Sequence, residues 1–160
     1  MEERQSIKCP VRFSDRQEIR GILKYKVYRH KGDQKELIEE FCDDNLIVNG
    51  ARNQMARLIA GNVSNRSINR IALGTNGTAP DVADTAITNQ FAKAVSAFSY
   101  PSMGQVQIDW ELLVTENNGM AILEFGLLCA DNTLFSRRIR NNPIHKESDI
   151  SLEGQWTIIF

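Results

Sequence analysis

Gln105-Val106-Gln107-Ile108-Asp109-Trp110-Glu111-Leu112-Leu113-Val114-Thr115 is the stretch on which the fold turns. Val106, Ile108, Trp110, Leu112 and Val114 fall on one side of an extended chain, and Gln107, Asp109 and Glu111 on the other. A period of two with one apolar face is a half-buried strand. Downstream, Asn117-Asn118-Gly119 carries the Asn-Gly signal of a tight hairpin, and Ala121 to Cys129 returns as a nearly all-apolar strand, expected to be central. Asp131-Asn132 turns the chain into Leu134 to Ile139, and Asn141-Asn142-Pro143 is expected to break it. A last strand then places Ile150, Leu152, Trp156, Ile158 and Phe160 on one face. On this reading the chain ends inside the core, and an extension beyond Phe160 is expected to disturb folding.

Upstream, Leu23, Tyr25 and Val27 alternate with Lys24, Lys26 and Tyr28, and the polar turn His30-Lys31-Gly32-Asp33 leads to a second apolar run, Leu37 to Cys42. This predicts a β-hairpin. Asn49 is expected to cap a helix with Ala51, Met55, Leu58 and Ile59 on its core face and Gly61 as its stop. Asn69 to Leu73 reads as a short strand and Gly74 to Pro80 as a loop. Asp84 is expected to cap a short helical turn through Gln90, and Ala92 to Tyr100 to form a strand ended by Pro101. Strands recurring every 8 to 12 residues predict a mostly β domain, an antiparallel β-sandwich with one packed α-helix. It is expected to span residues 21–160. Residues 1–20 alternate poorly and are interrupted by Pro10, so they predict an N-terminal arm. Val11, Phe13 and Ile19 are its candidate assembly-interface residues, because they lack a core partner in this pattern.

The 160 residues match one domain. A formal charge of -1 provides no field for nucleic acid or an anionic membrane. Cys9, Cys42 and Cys129 are odd in number and far apart, so neither a disulfide framework nor a zinc site is indicated, and a reducing compartment is expected. No apolar run approaches the roughly 20 residues of a membrane helix, and the polar N-terminus reads as no signal peptide.

Motifs carrying chemistry are scarce. Gly74-Thr75-Asn76-Gly77-Thr78 lacks the Gly-Lys-Ser/Thr ending of a phosphate loop. His30 and His145 sit in predicted turns without ligand partners at metal-binding spacing, and no nucleophile elbow accompanies them. Arg137-Arg138-Ile139-Arg140 is basic, but neighbouring strand residues point to opposite faces, which splits the cluster. Glu124 stands out among Ile122, Leu123, Phe125, Gly126, Leu127 and Leu128, where an ionised carboxylate is costly unless paired. Either a charged neighbour such as Arg137, Arg138 or Lys146 pairs with it, or it lies at a sheet edge. A buried catalytic acid is the competing reading, but the sequence nominates no second carboxylate for it. No catalytic, metal or cofactor-binding residue is therefore expected, and no small-molecule substrate.

The order of pieces says more than any one of them. Asn45 to Asn53 leads into a helix, and Ile71-Ala72-Leu73-Gly74-Thr75-Asn76-Gly77-Thr78-Ala79-Pro80 precedes Asp84-Thr85-Ala86. Glu124-Phe125-Gly126-Leu127-Leu128, Thr133-Leu134-Phe135-Ser136-Arg137, Pro143-Ile144-His145-Lys146 and the closing Trp156-Thr157-Ile158-Ile159-Phe160 follow. From Asn45 to Phe160 this succession resembles structural proteins of tailed bacteriophages, in particular tail-collar or tail-fibre proteins and related prophage proteins. The resemblance implies a β-rich virion component without enzymatic activity, assembled in the bacterial host cytoplasm. Its implied partners are copies of itself and other phage structural proteins. Fibre proteins of this type continue into a shaft and a receptor-binding tip, so a chain ending at Phe160 suggests a tail or collar adaptor, or a capsid decoration protein. A carbohydrate-binding module using Tyr28 or Tyr100 as a sugar platform is the alternative of a different class.

Overall fold

The structure is a computed structural model and describes residues 18–160. It is mostly β with one short helix. The strands are β1 (Arg20–Lys31), β2 (Gln34–Ile47), β3 (Ile68–Gly74), β4 (Phe91–Ala94), β5 (Ala97–Ser99), β6 (Gln105–Leu112), β7 (Ala121–Cys129), β8 (Leu134–His145) and β9 (Ile150–Ile159), and α1 (Asn49–Ile59) follows β2. All nine strands form one antiparallel sheet in the order β4-β3-β7-β8-β2-β1-β9-β6-β5.

The sheet curls on itself, and two places make the curl visible. β2 pairs with β1 along its length but with β8 only at Leu46 and Ile47, so it turns the corner between the two halves. The edge strands β4 and β5 are separated by just Val95 and Ser96, yet belong to opposite ends of the strand order. Val95 N–H donates to Asn69 O at 3.0 Å on one half and Ser96 N–H to Asp109 O at 2.7 Å on the other. One chain segment thus bridges both edges, as corner strands do where a sheet bends around its core. The predicted single strand from Ala92 to Tyr100 is therefore two short ones.

The hairpin of β1 and β2 is as expected, with Gly32 at φ 59 on the first central position of its two-residue turn, where a side chain would be strained. β7 is central, flanked by β3 and β8. The Asn-Gly signal at 118–119 misleads: β6 pairs with β5 and β9, so the loop after it crosses to the other half instead of closing a hairpin with β7. Asn141-Asn142-Pro143 does not end β8. Ile122 pairs with Ile144 and Glu124 with Ile139, so the ladder absorbs residues 140–143 as a bulge, where Pro143 needs no N–H to give.

Ile108, Trp110, Leu112, Leu152, Trp156 and Ile158 are all buried in the core, with Leu23, Tyr25 and Val27 from β1 and Phe125 and Leu127 from β7. Tyr25 stacks on Phe41 at 4.9 Å and on Phe125 at 4.8 Å between ring centroids, joining the two halves through aromatic contact. The core row of β9 stops at Ile158, because Phe160 is 51% exposed, against the expectation that it closes the core. Ile19 packs partly buried against the same core, so it has the core partner that the sequence pattern did not supply. Val11 and Phe13 lie outside the described residues.

α1 is capped by Val48 without a side-chain bond, one residue before the predicted Asn49. Its buried face is Ala51 and Gln54, while Ile59 is 89% exposed. No helical turn forms after Asp84; residues 81–90 are turns and irregular chain.

Gly154 interrupts the apolar row of β9 for a steric reason. A Cβ there would lie 2.2 Å from Trp110 Cε2. Gly154→Ala is expected to lower the unfolding free energy by about 1–3 kcal/mol through overpacking. Urea titration followed by tryptophan fluorescence measures this, and a change within about 0.5 kcal/mol, ordinary for a surface substitution, would refute the packing of Trp110 on β9.

Candidate functional site

The most concentrated polar chemistry lies around Glu124, on β7. Its residue is fully buried, and Arg137, on β8, is 2% exposed. The two sit diagonally across the β7–β8 ladder, since Gly126 is the residue opposite Arg137. Arg137 Nε donates to Glu124 Oε2 at 2.7 Å. Oε1 of Glu124 accepts the backbone N–H of Thr88 at 2.7 Å and of Asn76 at 3.1 Å. Arg137 Nη1 donates to Thr78 O at 3.0 Å and Asp84 Oδ2 at 2.9 Å, and Nη2 to Asn76 O at 3.0 Å. Each nitrogen of the guanidinium and each oxygen of the Glu124 carboxylate is engaged.

The sequence reading that Glu124 pairs with a nearby cation is met by Arg137. The network ties residues 76–88, which form no strand or helix, to the central strands. Gly74 is required beside it, because a Cβ would stand 2.5 Å from Glu124 Oε1 and 2.5 Å from Thr88 O. Chemically the arrangement is a staple: a general acid or nucleophile needs an oxygen turned towards substrate, and both of Glu124 are turned towards protein.

The other sequence candidates disperse. Arg138 reaches Asp43 at 2.7 Å and lies over the Phe41 ring at 5.4 Å, whereas Arg140 pairs with Glu39 and bonds the Tyr25 hydroxyl. The basic run is thus divided, with every arginine held by a carboxylate. Lys146, 1% exposed, donates to Asn118 Oδ1 at 2.7 Å, Glu147 O at 3.0 Å and Val114 O at 3.3 Å, pinning the loop between β6 and β7. Burial holds its ammonium below the ordinary lysine value.

His30 and His145 lie in strands β1 and β8, not in turns. His145 is exposed, while His30 Nε2 is 2.7 Å from Ser151 Oγ, with neither nitrogen paired to a carboxylate to orient the ring. Among the described residues no group of three His, Cys, Asp or Glu is arranged to hold a metal, and no helix is long and apolar enough to cross a membrane. Tyr28 carries the Lys35 ammonium 4.0 Å above its ring, so that face is taken, and Tyr100 is 80% exposed.

The sequence did not reveal a groove of about 1410 Å³ between α1, the start of β1 and the end of β9. Ile19, Leu46, Met55, Ile59, Val82 and Phe160 line it. These residues come from five separate parts of the chain, and only the exposed apolar character of Ile59 on an otherwise polar helix face could have hinted at it. Comparison with protein-family models, curated proteins and solved structures found no match.

Proposed function

We propose that this chain is a structural subunit of a tailed-bacteriophage particle, a tail, collar or fibre component that acts by assembly. The observation that carries this reading is where the motifs behind the resemblance go. Asn76, Thr78, Asp84, Glu124 and Arg137, drawn from four separate quoted segments, meet in one buried staple whose polar atoms serve one another. A signature spent on shape suits a protein whose task is to hold shape. The surface supplies the complement: Ile59, Phe98, Tyr100, Met103 and Phe160 are half or more exposed, and apolar surface of that kind is the raw material of an interface. The finer reading of the fold belongs here too. The stacking of Tyr25 on Phe125 supports a sandwich-like pair of facing layers joined through β2.

On this reading the partners are copies of the chain and other virion proteins, and the site of action is the assembled particle. Light scattering over a range of concentrations tests it. The expected result is a stable closed oligomer, such as a trimer or hexamer of the 18.1 kDa chain. A monomer at every concentration would refute self-association and leave a subunit that orders only on a preformed capsid shell.

A further inference from the structure

We infer that the side chains of Lys146 and Asn118 join spontaneously in an isopeptide bond, which ties the end of β8 covalently to the loop between β6 and β7. Lys146 follows directly on β8, and Asn118 belongs to the stretch that carries the chain from β6 across to β7. The bond forms within one chain and does not depend on how that chain assembles.

The amine is buried without a counter-charge in contact. Lys146 is 1% exposed, and its three polar partners among the described residues are all neutral: Asn118 Oδ1 at 2.7 Å, Glu147 O at 3.0 Å and Val114 O at 3.3 Å. Glu116 and Asp149 act on it only as more distant charges. The Glu116 carboxylate is itself held by Lys93 at 2.8 Å and by the N–H of Leu113 at 2.8 Å. Burial with neutral partners penalises the ammonium and favours the free amine, the form that is a nucleophile. A free amine has two N–H bonds. Directed at the carbonyls of Glu147 and Val114, they leave its lone pair facing the Asn118 amide.

The electrophile is held as firmly. With Oδ1 2.7 Å from Nζ, and a C=O bond of about 1.23 Å, Cγ stands within about 4 Å of the amine. Asn118 Nδ2 donates to Val114 O at 3.1 Å. The two backbones are in register, since Lys146 N–H donates to Met120 O at 2.9 Å and Gly119 N–H to Lys146 O at 2.8 Å. That last bond occupies the nitrogen whose attack on Cγ would turn an Asn-Gly pair into a cyclic imide. Groups fixed side by side in this way react at effective concentrations of about 10⁵ M or more. Nζ attacks Cγ and forms the new C–N bond, the Cγ–Nδ2 bond breaks, one proton passes from Nζ to Nδ2, and ammonia leaves. Asn118 is exposed, so water carries the proton and takes up the ammonia. The balance needs no oxidant and no co-reactant. A buried amine becomes a neutral amide, and Lys146 is withdrawn from titration wherever the bond has formed.

Intact mass spectrometry of the full chain, purified and then held at pH 9, tests this. The expected mass is lower than that of the sequence by one ammonia. Trypsin does not cut after an acylated lysine, so residues 94–137 should emerge joined to residues 141–160 as one branched peptide. Asn118→Ser, which keeps the amine and removes the amide, is expected to retain its full mass. An unchanged wild-type mass would overturn the inference. So would a loss of ammonia without the branched peptide, which is the cyclic imide of Asn118 and Gly119, or a loss that persists in Asn118→Ser.

Discussion

Arg137→Met is expected to destabilise the folded chain by about 3–5 kcal/mol, the cost of leaving a buried charge without its partner. Glu124 keeps no exposure, so water cannot take over the guanidinium's role. The substitution also strips the carbonyls of Asn76 and Thr78 and the Asp84 carboxylate of their donor at one stroke. The loss should therefore spread to residues 76–88, whose amides ought to exchange with solvent faster than those of β7 and β8. Urea unfolding gives the free energy and hydrogen exchange gives the location. The double variant Glu124→Leu with Arg137→Met separates the pair's two roles. If the charges matter only to each other, replacing both by apolar groups recovers most of the loss. If the staple matters because it holds the loop, the double variant regains core stability while the amides of Asn76 and Thr88 stay unprotected. A single-variant loss below about 1 kcal/mol, the range of a surface ion pair, would mean that the pair is hydrated in solution.

That network also shows how far a sequence can be read. Glu124 was conspicuous because a carboxylate amid six apolar residues demands a partner, and Arg137 lies on the strand that returns beside it after the Asp131-Asn132 turn. Strand periodicity, the β1–β2 hairpin, the central place of β7 and the helix after Val48 were legible for the same reason: each is decided by neighbours in sequence. What failed was decided at a distance. Asn117-Asn118-Gly119 has hairpin chemistry, with Asn117 at φ 54 and Gly119 at φ 96, but a turn signal cannot say whether the next strand pairs with the last one or crosses the core. Ala92 to Tyr100 reads as one strand because its residue types suit one; only the opposite halves of the sheet that claim its two ends divide it. Asp84 has the chemistry of a helix cap, yet its carboxylate accepts Arg137 and the N–H of Asp81 instead. The groove was illegible because no single segment contains it.

Stability is expected to fall steeply between about pH 9 and 12, through two buried groups that resist losing a proton. Burial drives the Tyr25 hydroxyl from 10.0 up to about 12, although the bond and charge of Arg140 pull it back. Burial likewise pushes the Cys129 thiol from 9.0 up to about 11, with a hydrogen bond from Gln54 opposing. In the unfolded chain both give up protons at their ordinary values. Across this window the folded state therefore binds more protons than the unfolded one, and unfolding free energy must decrease as pH rises. The contribution is complete below pH 9 and gone above pH 12. At about 1.4 kcal/mol per pKa unit the two groups together are worth roughly 5 kcal/mol, a large share of the 5–15 kcal/mol typical of a domain. Lys146 works in the opposite sense: its folded value is depressed, so the burden of burying its charge is relieved as pH rises towards the unfolded lysine value, and it offsets part of the loss. Urea midpoints measured from pH 8 to 12 should therefore decline with a slope that Tyr25→Phe and Cys129→Ala each reduce. Tyr25→Phe gives up the hydroxyl's bond to Arg140 at neutral pH but removes the later half of the decline, so its curve should approach the wild type above pH 11. Curves that remain parallel throughout would place the tyrosine hydroxyl in contact with water, and the stack that joins the two halves of the sheet would have to be open at that end.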